Sequence, residues 1–389
     1  MDVKKTLINK KMTASEMQQV LTRRKANWSI NESLLKKQTL DDMAKLYRLG
    51  SQKPDPSTLT KPMPLKRTSR INVLTLRDKK LSPVAMSRKP SSFDWRTVQG
   101  VVTPAKNQGG CGSCVAFATS AAIESHYHIL HFNTMTEDLN LSESSLFFTA
   151  QRSCNNGDPN YGWFINESLD AAMNEGLCME YAYPYEDHDQ EAIIPEGDVR
   201  TIRIESYQYT NSVALMKQWL VEKGPIVANF AVYSDFFVFW SGASDREQVY
   251  SLQSSEFAGN HAVCVIGYDD SKKAWLCKNS WGTSSLRPDG CFWIGYGQCG
   301  IDDVMYIPSG VYDKYTIDKI SYNPNNLRIV KNSDYWTLTD GRSNMKIFAT
   351  EEDAQNGLRI AARHNRHCFV GRSNKRSNRK DFIFEGISK

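Results

Sequence analysis

The chain has 389 residues and a mass of 44.2 kDa, with 40% hydrophobic and 23% charged residues, which suffices for a substantial core and for two or three domains. No apolar run approaches the roughly 20 residues that span a bilayer, and the sequence MDVKKTLINKKM lacks the apolar core of a secretory signal, so we expect a soluble protein. The nine cysteines are too few for a disulfide scaffold, and their odd number predicts at least one unpaired thiol.

The net charge of +5 conceals three blocks of different sign. Residues 1–91 hold 21 Lys/Arg and 7 Asp/Glu, residues 92–309 hold 12 and 27, and residues 310–389 hold 15 and 9. Solvated surface explains any single block, but opposite signs in consecutive blocks favour segments that touch each other. We therefore divide the chain into a basic head (1–91), an acidic body (92–309) and a basic tail (310–389).

The head contains two short predicted helices. Apolar residues recur at helical spacing within residues 15–25, and a capping box at residues 39–42 precedes a second helix that we expect to close at Gly50. Residues 51–89 are rich in Pro, Ser, Lys and Arg, which predicts an extended segment with little core of its own. Such a head needs a partner surface to stay ordered.

The body carries the strongest predicted helix of the chain, Cys114–Leu130, whose composition leaves few positions for water. Two later β-rich runs, residues 262–268 and 274–278, predict a hairpin closed by residues 269–273. Because helices precede strands along the body, we expect an α+β fold.

The tail predicts a small α+β accessory domain. Its expected strands are residues 315–322, 327–330, 336–339, 368–371 and 382–385, and its expected helix is residues 351–363. A basic cluster lies near a turn rich in Asn and Ser and consists of Arg363, Arg366, Arg372, Lys375, Arg376, Arg379 and Lys380. The cluster suits phosphate or carboxylate contacts, so we expect an anionic or glycan ligand, although a solvated surface packed on the body is an equal alternative.

Cys114 is the candidate nucleophile. It begins the buried helix after the glycine-rich turn 107–113, where free N–H groups and the helix dipole stabilise a thiolate and a substrate backbone can approach closely. A lone C-x-x-C is also compatible with a redox dithiol or half of a zinc site. No second C-x-x-C and no alternating βαβ pattern accompany it, which disfavours both.

His261 is the candidate base. It opens a predicted strand, and Asn279 follows the partner strand, so the two residues fall at the same end of the hairpin. An Asn there can accept the imidazole N–H while the other ring nitrogen faces the thiol. Taken alone, a His at a strand start is more often structural. The three histidines on the helix region, His126, His128 and His131, lack the partners of a metal site.

Together these segments resemble papain-like cysteine proteases. The resemblance rests on residues 108–114, on 261–268, on 279–282 and on 93–96, which occur in the family's order. Cys114 precedes His261 by 147 residues and Asn279 by 165, the first inside the family's range and the second slightly beyond it. The resemblance covers about residues 92–308. In the head, Trp28 and the following helix are similar to the short propeptides of cathepsin B-like enzymes.

The resemblance implies a two-lobed fold, with a helical lobe bearing Cys114 and a β-barrel-like lobe bearing His261 and Asn279. It implies acyl transfer without metal or cofactor, with Gln108 and the Cys114 N–H binding the oxyanion and Trp281 shielding the His261–Asn279 bond. The head then acts as an intramolecular inhibitor, cut within residues 53–89 to leave a mature chain from about residue 91 or 92. Secretion and an acidic lysosome- or vacuole-like compartment both remain open, and we expect a monomer.

The resemblance also carries the substrate contacts and one disulfide. Val304 is expected at the floor of the P2 pocket, which predicts an apolar P2 side chain. If the count along the sequence is off by one, Asp303 takes this place and the pocket accepts Arg at P2 instead. The other expected contacts are Gly162, Asn260, Ala262 and Trp281, and Cys111 and Cys154 are the one cysteine pair at familiar positions. Without paired histidines between residues 154 and 185, endopeptidase action is favoured.

The sequence departs from the family at two positions that remove no reacting group, and two rival functions stand beside the peptidase, although the intact set Gln108, Cys114, His261 and Asn279 argues against a silent module. Val115 replaces an aromatic residue after the nucleophile, and Cys299 lacks its usual partner. A catalytically silent binding module would keep the fold without turnover, and an acyl transferase or peptide ligase would use the same scaffold.

Overall fold

The computed structural model describes about half of the head, most of the body and parts of the tail. The described residues are 8–9, 11–35, 38–53, 90–130, 139–192, 200–314, 318–321, 326–331, 336–339, 344–348, 351, 355, 358, 367–370 and 382–383. Most of the extended segment expected at 51–89, the expected tail helix apart from residues 351, 355 and 358, and the basic cluster of the tail therefore lie outside the described residues.

The head forms three helices, α1 (Ala14–Arg24), α2 (Glu32–Leu35) and α3 (Leu40–Ala44), followed by the short strand β1 (Ser51–Gln52). Reciprocal capping boxes begin α1 and α3, each with a Thr hydroxyl accepting from a main-chain N–H and a carboxylate accepting in return. The prediction that the second helix extends to Gly50 is wrong. It ends at Ala44, and Leu46 is 58% exposed, so no apolar contact draws the next turn into the helix.

The helical lobe is built around α4 (Cys114–Leu130), as predicted. Every residue of α4 except Leu130 is buried, because neighbouring elements cover the helix on all sides. The shorter helices of this lobe are α5 (Glu143–Phe147) and α6 (Ile165–Asn174), with strands β3 (Trp163–Phe164) and β4 (Leu177–Cys178).

The β-rich lobe is a mixed sheet. Its strands include β2 (Ser92–Asp94), β5 (Thr201–Thr210), β6 (Ile226–Tyr233), β7 (Val249–Tyr250), β8 (Phe257–Asp269), β9 (Ala274–Lys278), β10 (Cys291–Gly295) and β11 (Met305–Lys314). The order is β4-β5-β11-β6-β8-β9-β10-β7, with β2 on β8, and this path does not close into a barrel among the described strands. The lobe is therefore an open sheet, and it packs β8 and β6 against α4.

Two details of the predicted body differ from the structure. The hairpin is confirmed, with β8 antiparallel to β9, but β8 begins at Phe257 and so carries His261 in its interior. The order of helices before strands is also too simple. Helices α7 (Val213–Glu222) and α8 (Ser234–Gly242) lie between strands of the sheet, and neither was predicted.

The chain divides into two compact units, Met1–Ile194 with Ile202–Tyr312, and Pro195–Thr201 with Asp313–Lys389. In the second unit Arg200 pairs with Asp313 at 2.9 Å. The tail strands are β12 (Asp318–Ser321), β13 (Arg328–Lys331), β14 (Trp336–Thr339), β15 (Asn344–Phe348), β16 (His367–Val370) and β17 (Phe382–Ile383). They form two three-stranded sheets, β12-β16-β17 and β13-β14-β15. β15 was not predicted.

Across the described residues, no helix combines the length and the apolar character that crossing a membrane requires.

Candidate active site

Cys114 begins α4 at the end of a turn that is tied to both lobes. The Cys111–Cys154 disulfide, as expected, joins the turn to the loop before β3. On the other side, the Gln108 N–H donates to the Ser280 carbonyl at 2.8 Å, and the Ser280 hydroxyl donates to Gln108 Oε1 at 2.6 Å. The turn therefore holds the thiol at the boundary between the helical lobe and the sheet.

His261 faces this boundary from β8 and is fully buried. Its Nε2 lies 2.7 Å from Asn279 Oδ1, the contact that the hairpin predicted, so Nε2 carries the proton and donates. Nδ1 has no hydrogen-bond partner among the described residues. The Trp281 ring stacks on the imidazole with centroids 4.6 Å apart. The pair is thus shielded on one face and leaves one ring nitrogen available for proton transfer.

Burial favours the neutral forms of both groups in this state. It raises the pKa of the Cys114 thiol to about 11, although main-chain N–H groups of Ala262 and of the head at Gly50 and Ser51 act in the opposite direction. It lowers the pKa of His261 to about 4, against the opposing effect of the Asn279 bond. The thiol and imidazole are consequently uncharged while the head covers them.

The head occupies the cleft as an extended segment. Gln108 Nε2 donates to the Arg48 carbonyl at 3.1 Å, and the Trp163 N–H donates to the Gly50 carbonyl at 2.7 Å. β1 then continues parallel to β3. The side chain expected to bind the oxyanion is therefore bonded to a carbonyl of the head.

Gly50 fits this place only because it lacks a side chain. A Cβ added to Gly50 would lie 1.8 Å from the Gly112 carbonyl oxygen, far inside van der Waals contact. On the opposite wall Gly162 has a φ of +68°, and a Cβ there would lie 2.2 Å from the Gly50 oxygen. Gly50 and Gly162 thus allow the head to pass next to Cys114.

An aromatic surface on and beside α8 anchors the head. Trp28 is buried edge-on against Phe239, with centroids 5.4 Å apart, and its Nε1 donates to the Ser251 carbonyl at 2.9 Å. Tyr47 stacks on Trp281 with centroids 4.5 Å apart. The sequence analysis missed this surface because α8 is apolar on all sides and shows no helical periodicity.

Three further predicted substrate contacts lie on β8 and directly before β11. Ala262 is buried beside Cys114, and Asn260 is half-buried on β8, opposite Ala231 of β6. Val304 is half-buried, whereas the exposed carboxylate of its neighbour Asp303 forms an ion pair with Lys53 of the head.

Among the described residues of the head and body, the cysteines outside the disulfide are free thiols. Cys264 and Cys277 are buried, and their register is offset by one, since Val265 pairs with Cys277 and Cys264 with Lys278. Besides Cys114, the further free thiols in this part of the chain are Cys178, Cys291 and Cys299. The α4 histidines serve the structure, as His126 bonds to the Pro225 carbonyl at 2.8 Å.

Buried charges behind the site were also not predicted. Lys106 Nζ lies 2.8 Å from Glu143 Oε1 and 3.2 Å from Glu124 Oε1. The Thr103 hydroxyl donates to Glu124 at 2.6 Å and accepts from Lys278 Nζ at 2.8 Å. Because Lys278 directly precedes Asn279, this network braces the strand end that orients His261.

Comparison with known proteins identifies the family. The model of the family described as Papain family cysteine protease matches residues 89–309. Pro-cathepsin H of Mus musculus is 32% identical over 218 residues, which cover 54% of this chain and 62% of the mouse protein. Zingipain-2 of Zingiber officinale is 34% identical over 230 residues, covering 54% of this chain and 93% of the plant protein. This chain belongs to the papain family of cysteine proteases.

Solved structures of precursors share the fold. Procathepsin B S9 from Trypanosoma congolense superposes with a TM-score of 0.57 at 20% identity, covering 77% of this chain and 99% of that one. Procathepsin L2 proteinase from Tenebrio molitor superposes with a TM-score of 0.54 at 28% identity, covering 76% of this chain and 88% of that one. The papain-like α+β fold is thereby confirmed. This chain spans 62% of the length of mouse Pro-cathepsin H.

Proposed function

We propose that the protein is a cysteine endopeptidase made as a zymogen, which hydrolyses peptide bonds with Cys114 as nucleophile. The observation that carries this proposal is the hydrogen-bonded His261–Asn279 pair beside a thiol at a helix N-terminus, in a cleft through which the head runs. Catalysis by such a pair needs no cofactor.

The reaction begins when the head leaves the cleft. Water then stabilises charge, and a proton passes from Cys114 to Nδ1 of His261, which forms a thiolate and an imidazolium. The thiolate attacks the scissile carbonyl, and the oxyanion accepts hydrogen bonds from Gln108 Nε2 and the Cys114 N–H. His261 protonates the leaving amine, and the thioester remains.

Water completes the cycle. Neutral His261 removes a proton from the attacking water, the tetrahedral intermediate collapses, and the carboxylic acid product leaves with the Cys114 thiol restored. Asn279 keeps the imidazole in the required orientation throughout, and Trp281 excludes water from their bond.

The head is the intramolecular inhibitor. Its carbonyl at Arg48 bonds to the side chain that the oxyanion requires, and its Trp28 anchor lies on the aromatic surface beside α8. These contacts are mainly aromatic and main-chain, and the Lys53–Asp303 pair adds a charge contact. A substrate cannot enter until this segment is displaced.

The P2 pocket can be proposed to accept either of two classes of side chain. The first is an apolar side chain contacting Val304, Ala262 and Gly162, with Asn260 near the substrate backbone. The second is Arg or Lys, favoured by the ion pair that the Asp303 carboxylate already forms with a Lys of the head. A peptide library separates them, because Asp303→Asn would reduce cleavage of basic P2 peptides and spare the apolar ones.

The function is tested by peptide hydrolysis and covalent labelling of the acid-processed protein. Wild type should cleave internal peptide bonds and be labelled by an epoxide inactivator, whereas Cys114→Ala should do neither. Labelling without turnover would indicate a binding module. Products joined to an added amine would indicate an acyl transferase or ligase.

For the tail we propose a separate module that binds an anionic or glycan ligand. Because β11 runs through Lys314, a truncation at residue 309 would cut a strand of the main sheet, so the test should end the chain after residue 314. A truncated protein that stays active but loses binding to heparin would support the module. Loss of activity would favour packing of the tail on the body.

A further inference from the structure

Three successive carbonyls of the head each accept a hydrogen bond in the cleft. Gln108 Nε2 donates to Arg48, the Tyr161 hydroxyl donates to Leu49, and the Trp163 N–H donates to Gly50. Gln108 belongs to the proposed catalytic set, and the Trp163 donor is a main-chain group. Tyr161 is a side-chain donor placed between them, and neither the sequence analysis nor the proposed mechanism uses it.

The Tyr161 side chain is also held in position by contacts that do not involve the head. A Cβ on Gly112 would lie only 2.6 Å from a ring carbon of Tyr161, so the ring rests directly on the turn that precedes Cys114. The Tyr161 N–H donates to the Asp158 carbonyl at 3.0 Å, and Ser153 forms a β-bridge with Tyr161. The disulfide at the adjacent Cys154 fixes this loop to the same turn. The hydroxyl and the nucleophile are therefore parts of one braced unit.

The phenol is suited to donate rather than accept. Burial, together with the nearby Cys114, raises the pKa of Tyr161 above its usual value of 10, so the hydroxyl keeps its proton in the working range of a thiol enzyme. A carbonyl oxygen of an extended peptide is the acceptor that the hydroxyl already has in this structure. The ligand class is consequently a peptide main chain and does not depend on its side chains.

We infer that Tyr161 is a substrate-binding residue whose hydroxyl donates to a main-chain carbonyl adjacent to the scissile bond once the head has left. The inference rests on the proposed function, since it assigns Tyr161 to the cleft of the same peptidase. A bond of this kind is present before and during the chemical step. Its loss should therefore raise KM and leave kcat nearly unchanged.

The test uses the acid-processed enzyme and its Tyr161→Phe variant, which removes one oxygen and keeps the ring. We expect KM for an extended peptide to rise about 3- to 10-fold, the range for one hydrogen bond of ordinary strength, with kcat within twofold. Tyr181→Phe is the matched control because the Tyr181 side chain is 75% exposed, and it should change neither constant. Thermal unfolding of both variants should match that of wild type.

A second measurement assigns the contact to the peptide backbone. Two peptide analogues keep the scissile carbonyl and replace the next main-chain carbonyl on its N-terminal or its C-terminal side by a methylene group. For one of the two analogues, KM of the wild type should rise by the same factor as the Tyr161→Phe substitution causes. KM of the variant should not rise further with that analogue, because the same hydrogen bond is already absent. Equal losses in both enzymes for both analogues would overturn the inference, as would an unchanged KM in Tyr161→Phe.

Failure of the proposed function is recognised separately. Titration with an epoxide inactivator counts competent thiols in wild type and variant without any dependence on KM. Wild type that neither labels nor cleaves refutes the peptidase and, with it, the inference. Wild type that does both, beside a variant with normal KM, refutes the role of Tyr161 alone.

Discussion

Replacing Gly50 by Ala should open the zymogen without touching the catalytic residues. The new methyl group would lie 1.8 Å from the Gly112 carbonyl oxygen, which is main chain at the base of the catalytic turn and cannot rotate away. The segment around residue 50 must therefore leave the cleft, while α1 and the Trp28 anchor remain docked.

The size of the effect follows from the bonds that the segment loses. Displacement removes the contacts of Gln108 with Arg48, of Tyr161 with Leu49 and of Trp163 with Gly50. At about 1 kcal/mol net for each bond, the docked state loses about 3 kcal/mol. Since 1.4 kcal/mol corresponds to a factor of ten, the open fraction should rise about 10²-fold.

The open fraction can be measured as the rate at which an epoxide inactivator labels Cys114 in the intact precursor at neutral pH. Labelling needs an uncovered thiol but no turnover, and a gel taken at each time point excludes processing as the cause. Leu46→Ala is the control within the head, because Leu46 is largely exposed and should label at the wild-type rate. A Gly50→Ala precursor labelled no faster than wild type would refute the steric reasoning.

Other perturbations address the nucleophile, the anchor and the pH response. Cys114→Ala should abolish hydrolysis of a fluorogenic peptide. Gln108→Ala should lower kcat for the same peptide about 10²- to 10³-fold, because one oxyanion donor is lost. A wild-type rate in either variant would contradict the mechanism. Trp28→Ala removes the ring that packs on Phe239 and should destabilise the precursor by about 3 kcal/mol or more, lowering its Tm while the processed enzyme is unaffected. The head carries 21 Lys/Arg against 7 Asp/Glu and the body carries 27 Asp/Glu against 12 Lys/Arg, so their attraction requires ionised carboxylates and weakens as pH falls toward about 4. Self-processing should therefore accelerate as pH falls from 7 to 4, and a rate that does not change over that range would contradict this account.

Residues with a local sequence pattern were predictable. Three local patterns each predict the structure of a short segment. They are the glycine-rich turn before Cys114, the apolar composition of α4 and the alternation of apolar residues in the β8–β9 hairpin. The 2.7 Å contact of His261 with Asn279 follows from the hairpin, because antiparallel strands bring their ends together. The nucleophile, the base and its partner could thus be named without coordinates.

The surface that receives the head could not be predicted in the same way. α8 is buried from Ser234 to Trp240, so its residues show no apolar face, and a run of aromatics suits a strand as well as a helix. The role proposed for Tyr161 depends on a disulfide between residues 111 and 154 and on a peptide from residue 49, and both join segments that are distant along the chain. Contacts of this kind are properties of the folded chain and leave no local pattern.

The described part of the head ends at Lys53, and the body begins at β2, where residues 92–94 pair with β8. Because head and body belong to one chain, their covalent connection is a tether, which keeps the head at an effective concentration of about millimolar beside its site. One cut in the tether changes none of the contacts described above, yet it makes rebinding a bimolecular event. At nanomolar enzyme the same head would then be diluted by several orders of magnitude, so the severed inhibitor should dissociate in dilute solution and rebind when the protein is concentrated.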